Sequence, residues 1–170
     1  MANSECGQSC AWKRVTEQKY VAQDCPTRQG AFAVEARSVY RKPTISRFFV
    51  TSSVLGHDGY CPWPRLKETV VFWQRIGYKR LGLAFCIGLA KEAKVVADRL
   101  RKNGLEVVSA VCKSGGMDKA ETGIPEDKKL NPGAFEAMCN PILQAKLLNE
   151  QKTELNIALG LCVGHDSLFY

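Results

Sequence analysis

The sequence predicts an α/β protein: a small, parallel, three-layer, Rossmann-like sheet preceded by a helical, cysteine-bearing N-terminal segment. Three observations carry this. Short apolar or β-branched runs recur at residues 80–86 (RLGLAFC), 105–112 (LEVVSAVC) and 154–162 (ELNIALGLC). Helix-favouring stretches separate them, at 89–103 (LAKEAKVVADRLRKN) and 133–150 (GAFEAMCNPILQAKLLNE). Glycines mark the joints, as at Asn103-Gly104 and Gly115-Gly116. Strands alternating with helices are the pattern of a parallel sheet with right-handed crossovers.

Residues 28–41 and 45–56 read as helices, with Pro43 breaking between them. Residues 64–77 make a better helix: Pro64 suits the first turn, Leu66, Val70, Trp73 and Ile76 keep helical spacing, and Gly77 closes it. The 80–86 run is short and apolar, as a buried strand is. The amphipathic helix at 89–103 follows, then the β-branched strand at 105–112. Residues 113–132 are polar, punctuated by Gly and Pro, and read as a loop. The 133–150 helix is expected to break near Asn140-Pro141. The third strand, 154–162, leads into a helix that begins after Gly164. Residues 1–62 thus form a cysteine-containing helical N-terminal segment and 63–170 an α/β core, read together as one compact domain.

Composition excludes several classes. With 170 residues, 45% hydrophobic and 24% charged, the chain is neither disordered, collagen-like nor a coiled coil. The net charge is +7, but basic residues alternate with acids, as in Lys91-Glu92, and no run reaches five like charges. A nucleic-acid partner is therefore not expected. No apolar run approaches the roughly 20 residues of a membrane span, so no membrane partner is expected. Residues 1–10 carry no charged-then-apolar leader pattern, and the expectation is a cytoplasmic protein.

Cysteine is the anomaly: Cys6, Cys10, Cys25, Cys61, Cys86, Cys112, Cys139 and Cys162. Disulfides are rare in the cytosol, and clustered intracellular thiols read better as metal ligands or redox groups. Cys86, Cys112 and Cys162 each stand at the C-terminal end of a predicted strand. In an open parallel sheet those ends share one edge, where ligands bind. Three thiols separated by 26 and 50 residues are expected to meet there. Cys139, or Cys61 just before a helix, would supply a fourth thiolate. Four thiolates suit an iron–sulfur cluster or structural zinc. The ordinary alternative is that each cysteine is a small buried hydrophobe. Cys6, Cys10 and Cys25 would form a possible separate knuckle, completed by Cys61 or His57, although they lack paired CxxC spacing.

Two further strings carry chemistry. Gly160-Leu161-Cys162-Val163-Gly164 has the G-x-C-x-G form of a nucleophile elbow between strand and helix. The helix start would lower the Cys162 pKa, His165 would be its base, and Asp166 would orient the imidazole. Against this, elbow enzymes recruit their histidine from a distant loop. Cys112-Lys113-Ser114-Gly115-Gly116 follows the second strand, and Lys113, Ser114 and Gly115 would cradle an anion or cofactor. No P-loop and no GxGxxG is present, so nucleotide binding is unsupported.

The strings LGLAFCIGLAKEAK, EVVSAVCKSGGMDK, NPGAFEAMCNPILQAKLLNE and LNIALGLCVGHDSLF together resemble domain-of-unknown-function family eighteen-forty-seven, found mostly in anaerobic bacteria and archaea and often labelled metal-binding. The resemblance runs from about Gly59 to Phe169 and includes Cys61, Cys86, Cys112, Cys139 and Cys162. Members of that family continue past the last string into another strand and a His-bearing loop. The resemblance implies metal or cluster binding and supplies no reaction.

The expectation is therefore a metal-binding protein, foremost an iron–sulfur protein with a redox or sulfur-handling role and a redox or cluster-transfer protein as partner. The alternatives are a thiol enzyme using Cys162 with His165, and a zinc-stabilised interaction module.

Overall fold

A computed structural model describes residues 30–170. The chain divides into two compact units, Met1–Asp58 and Gly59–Tyr170. In the first, helices α1 (Gly30–Tyr40) and α2 (Pro43–Asp58) pack together, with the Tyr40 and Phe49 rings 4.7 Å apart. Pro43 starts α2 rather than merely ending α1, because the first helical position needs no N–H.

The second unit opens with α3 (Arg65–Ile76). Its apolar residues face inward, with Trp73 1% and Ile76 3% exposed. Gly77, in the left-handed conformation, ends it and donates its amide to the Trp73 carbonyl. Then follow β1 (Arg80–Phe85), a 3-10 turn (Ile87–Leu89), α4 (Ala90–Lys102), β2 (Glu106–Val111), α5 (Pro141–Glu150), β3 (Leu155–Leu159) and α6 (His165–Phe169). Two short 3-10 turns punctuate the connection between β2 and α5.

The strands are parallel in the order β2-β1-β3. Phe85 lies opposite both Val111 and Leu159, so all three strands finish level. At the other end the Glu154 carboxylate accepts the amides of Lys79 (2.6 Å) and Arg80 (2.9 Å), locking β3 to the start of β1.

Successive residues of a strand point to opposite faces, and the helices divide accordingly. Ala93 and Ala97 of α4 line a surface groove with Phe85 and Ser109. Ala84 and Ala110 pack instead with Leu148 of α5 and Phe169 of α6. The result is a helix–sheet–helix sandwich, the predicted three-layer α/β fold. Gly82 belongs to the α5 face, where a Cβ would sit 1.9 Å from Asn156 Oδ1 and 2.9 Å from Leu148 Cδ1.

Two expectations need correction. The strands are shorter than predicted, so Cys86 and Cys112 lie one residue past β1 and β2, and Cys162 three residues past β3. Residues 133–140 are not helical; α5 starts at Pro141, with the Asn140 side chain accepting the Leu143 amide at 3.0 Å. Asparagine followed by proline is itself a helix-start signal, stronger here than the apolar spacing upstream.

The connection after β1 feeds α4 on one face, whereas that after β3 feeds α6 on the other. Between adjacent strands whose connections leave to opposite faces lies the topological switch point, the usual ligand crevice of such sheets. Cys86 and Cys162 follow those two strands.

Candidate metal centre

The level strand ends bring the thiols together. The Cys86 amide donates to the Leu159 carbonyl (3.1 Å) and the Cys112 amide to the Phe85 carbonyl (2.9 Å), extending the ladder one residue past each strand. Beyond β3 the chain turns at Gly160, with φ of 61° and Leu89 packed where a side chain would go. That turn carries Cys162 back over the sheet edge. The His165 amide donates to the Cys162 carbonyl (2.9 Å), keeping the imidazole on the same turn.

Cys139 arrives from the long β2–α5 connection. The Asn140 amide donates to the Cys112 carbonyl (2.7 Å), and the Lys113 ammonium to the Ala137 carbonyl (2.6 Å), so the segment is held against the end of β2. An ion network braces it from behind. The buried Lys129 ammonium contacts Asp118 and Glu126, each at 2.7 Å, and Lys119 pairs with Glu136. Asp118 also accepts the amides of Ala120 (2.8 Å) and Glu136 (2.9 Å). Lys129, then those amides, pull its carboxyl down to about 2.

Cys86, Cys112, Cys139, Cys162 and His165 line one crevice together with Pro141, Gln144 and Leu161. The ligating atoms of Cys139, Cys162 and His165 all lie within 4.8 Å of one another, a group that could hold a metal ion. Cys139 also hydrogen-bonds the thiols of both Cys112 and Cys162. Burial pushes the Cys112 thiol up to about 11, against the Ile87 amide, which favours the thiolate; the sulfurs of Cys139 and Cys86 add to the rise. Desolvation, then Cys139 and Cys86, also hold Cys162 above the ordinary thiol range, with the Lys113 charge pulling weakly the other way.

The donor set fits a soft or borderline metal. The crevice wall offers thiols and one imidazole and no carboxylate, a set suited to zinc or to the iron of iron–sulfur centres rather than to calcium or magnesium. Metal binding would take up the thiols as thiolates and release their protons.

Gln144 is fully buried in this wall. Its Nε2 donates to the carbonyls of Ala110 (2.8 Å) and Phe85 (3.2 Å), while its Oε1 has no partner among the described residues. A buried unsatisfied acceptor costs about 1–3 kcal/mol.

The other expected site residues fare differently. Cys61 is exposed in the turn before α3, with φ of 65°, and does not line the crevice. Ser114 donates its hydroxyl to the Val111 carbonyl (2.8 Å), and Lys113 is engaged as above, so both polar groups of the proposed anion cradle hold protein backbone. Gly115 has φ of 94° and lies in the same turn. Cys6, Cys10 and Cys25 lie outside the described residues. His57 is exposed at the end of α2, 3.5 Å from Asp58. The elbow reading expected a lowered Cys162 pKa; desolvation and neighbouring sulfurs outweigh a five-residue helix, and the shift is upward. Asp166 accepts the Ser167 amide (2.8 Å). Two crevice residues escaped the metal reading of the sequence: His165, given only the role of a base, and Gln144. The i, i+3 spacing of Cys162 and His165 was the available signal for the first; a lone glutamine in a helix gives none.

A parallel three-layer α/β unit with four thiols and an imidazole on its switch-point crevice defines a cysteine-rich protein with a candidate metal site. The chain belongs to the family described as "Protein of unknown function (DUF1847)", whose model matches residues 25–170. The match reaches back to Cys25, well beyond the strings that carried the resemblance. The chain is also similar to the "Uncharacterized protein MJ0455" of Methanocaldococcus jannaschii, 42% identical over 150 residues, covering 88% of this chain and 74% of that protein. No solved structure matches it. Among the described residues no helix is long and apolar enough to cross a membrane.

Proposed function

We propose that this is a metal-binding protein whose crevice holds a thiolate-rich centre. The observation that supports it is the convergence of four thiols and one imidazole, drawn from the three segments that follow the strands, on the ligand-binding edge of a parallel sheet. With Cys86, Cys112, Cys139 and Cys162 as the four thiolates, the centre is an iron–sulfur cluster, and the role is redox or sulfur handling with a redox or cluster-transfer partner. The chain's part is to present Cys86 and Cys112 from level strand ends and to bring Cys139 and Cys162 to them from the β2–α5 connection and the turn after β3, in a crevice also lined by Pro141 and Leu161.

One measurement favours a second form of the same centre. Zinc–sulfur bonds of about 2.3 Å imply a tetrahedral edge of roughly 3.8 Å. The 4.8 Å grouping of Cys139, Cys162 and His165 needs little contraction to reach it. A single zinc ion would sit on these three, with Cys112, whose thiol is hydrogen-bonded to Cys139, as the fourth donor.

Metal and acid-labile sulfide content after anaerobic purification tests both forms. Iron with sulfide and absorbance near about 400 nm supports the cluster. Zinc without sulfide supports the single ion, and protein free of metal that takes up neither overturns the proposal.

A further inference from the structure

Gln144 has both amide protons committed and its oxygen free. The two carbonyls it holds, Phe85 and Ala110, sit at the ends of β1 and β2, immediately before Cys86 and two residues before Cys112. Its buried Oε1 needs a donor. The crevice wall supplies few. Ionised thiols have no proton, Pro141 has no N–H, and the two contacted carbonyls are acceptors. Once the cysteines are bound as thiolates, the side-chain N–H left on that wall besides Gln144's own is that of the His165 imidazole. Leu148 of α5 and Phe169 of α6 pack in one cluster, so the helices carrying Gln144 and His165 are neighbours. A histidine that ligates a metal through one ring nitrogen almost always donates the other N–H to an outer acceptor, which fixes its orientation.

We propose that Gln144 is a positioning residue of the metal centre: its amide donors set the strand ends that carry Cys86 and Cys112, and its Oε1 accepts the second ring N–H of His165 when the first binds a metal ion. This rests on the metal reading above, with His165 as a ligand. One side chain then ties the thiol-bearing strands to the imidazole.

The test uses the full chain loaded with zinc alone, with affinity read by chelator competition for the wild type, Gln144→Met, His165→Ala and the double variant. Gln144→Met is expected to weaken zinc binding about 10–100-fold. The double variant is expected to lose less than the sum of the two single losses, because the part of the Gln144 effect that runs through the imidazole is already gone in His165→Ala. Gln144→Glu, which keeps an acceptor for the imidazole but loses the donors to the two carbonyls, should recover only the part of the loss that runs through His165, and Gln144→Ala serves if Gln144→Met does not fold. In nitrogen-15 spectra of zinc-loaded wild type, one His165 ring N–H should exchange slowly, and it should exchange fast in Gln144→Met. Undiminished affinity in Gln144→Met, or additive losses in the double variant, overturns the proposal. Wild-type binding that His165→Ala leaves unchanged overturns it while leaving the metal reading intact. No zinc uptake by the wild type, with no iron or sulfide either, overturns both.

Discussion

The backbone amide of Ile87 donates to the sulfur of Cys112 at 3.3 Å, across the gap between the ends of β1 and β2. The turn that follows one strand thus supports the thiol that follows the next. An N–H aimed at sulfur favours the thiolate, the form a metal needs, while burial opposes it.

Replacing Cys112 by alanine should therefore remove a ligand and leave the fold standing. Zinc or iron uptake is expected to fall by more than about 100-fold, beyond the 10–100-fold cost of outer-group substitutions. Loss of a small buried side chain should cost about 1 kcal/mol of stability. Cys61→Ala is the control, since Cys61 does not line the crevice. Metal analysis and chemical denaturation check both.

Cys162 is expected to be a poor nucleophile in the metal-free protein. Its pKa is raised, so the reactive thiolate is scarce at neutral pH. The rate of its alkylation by iodoacetamide, followed by mass spectrometry, should still be climbing above pH 9. A rate that levels off near pH 7 would favour the thiol-enzyme reading instead.

The segment that carries Cys139 should loosen in acid. The Asp118 carboxyl titrates near 2 in the folded chain, against about 3.9 unfolded. Its stabilising contribution is complete above about pH 4 and is lost as the pH falls towards 2. Hydrogen exchange at the amides of Ala120 and Glu136 should accelerate over that window beyond the intrinsic rate. In Asp118→Asn those amides should be less protected at pH 6, and the acid-dependent step should vanish.

Gly82→Ala should destabilise the sheet without touching the crevice. The new methyl would collide with Asn156 and Leu148, and overpacking of this kind costs about 1–3 kcal/mol. Denaturant titration measures the loss, and Asn156→Ala in the same chain should return part of it.

Much of this architecture was readable from local pattern. The runs around Leu83, Val108 and Ile157 are apolar and bounded by glycine or turn residues, which marks buried strands. Parallel topology then places whatever follows them on one edge, so Cys86, Cys112 and Cys162 could be expected near each other. Cys139 was harder. The alanine and phenylalanine before it mimic a helix face, whereas the fold holds that stretch by backbone bonds to residues more than 20 positions away, such as Met138 to Met117. Gln144 shows the limit more sharply. Its role depends on two carbonyls contributed by other strands, and no spacing within α5 records them.

The Gly160 turn, which swings Cys162 and His165 back over the sheet edge, has a bearing on biosynthesis. The crevice wall is drawn from residues 86 to 165, and its last two side chains are made after every other part of the wall. During translation the growing chain can complete β1, α4 and β2 and still lack Cys139, Cys162 and His165, the whole of the close donor group. A metal that needs Cys162 or His165 can therefore be held in full only after this turn has been made and folded back.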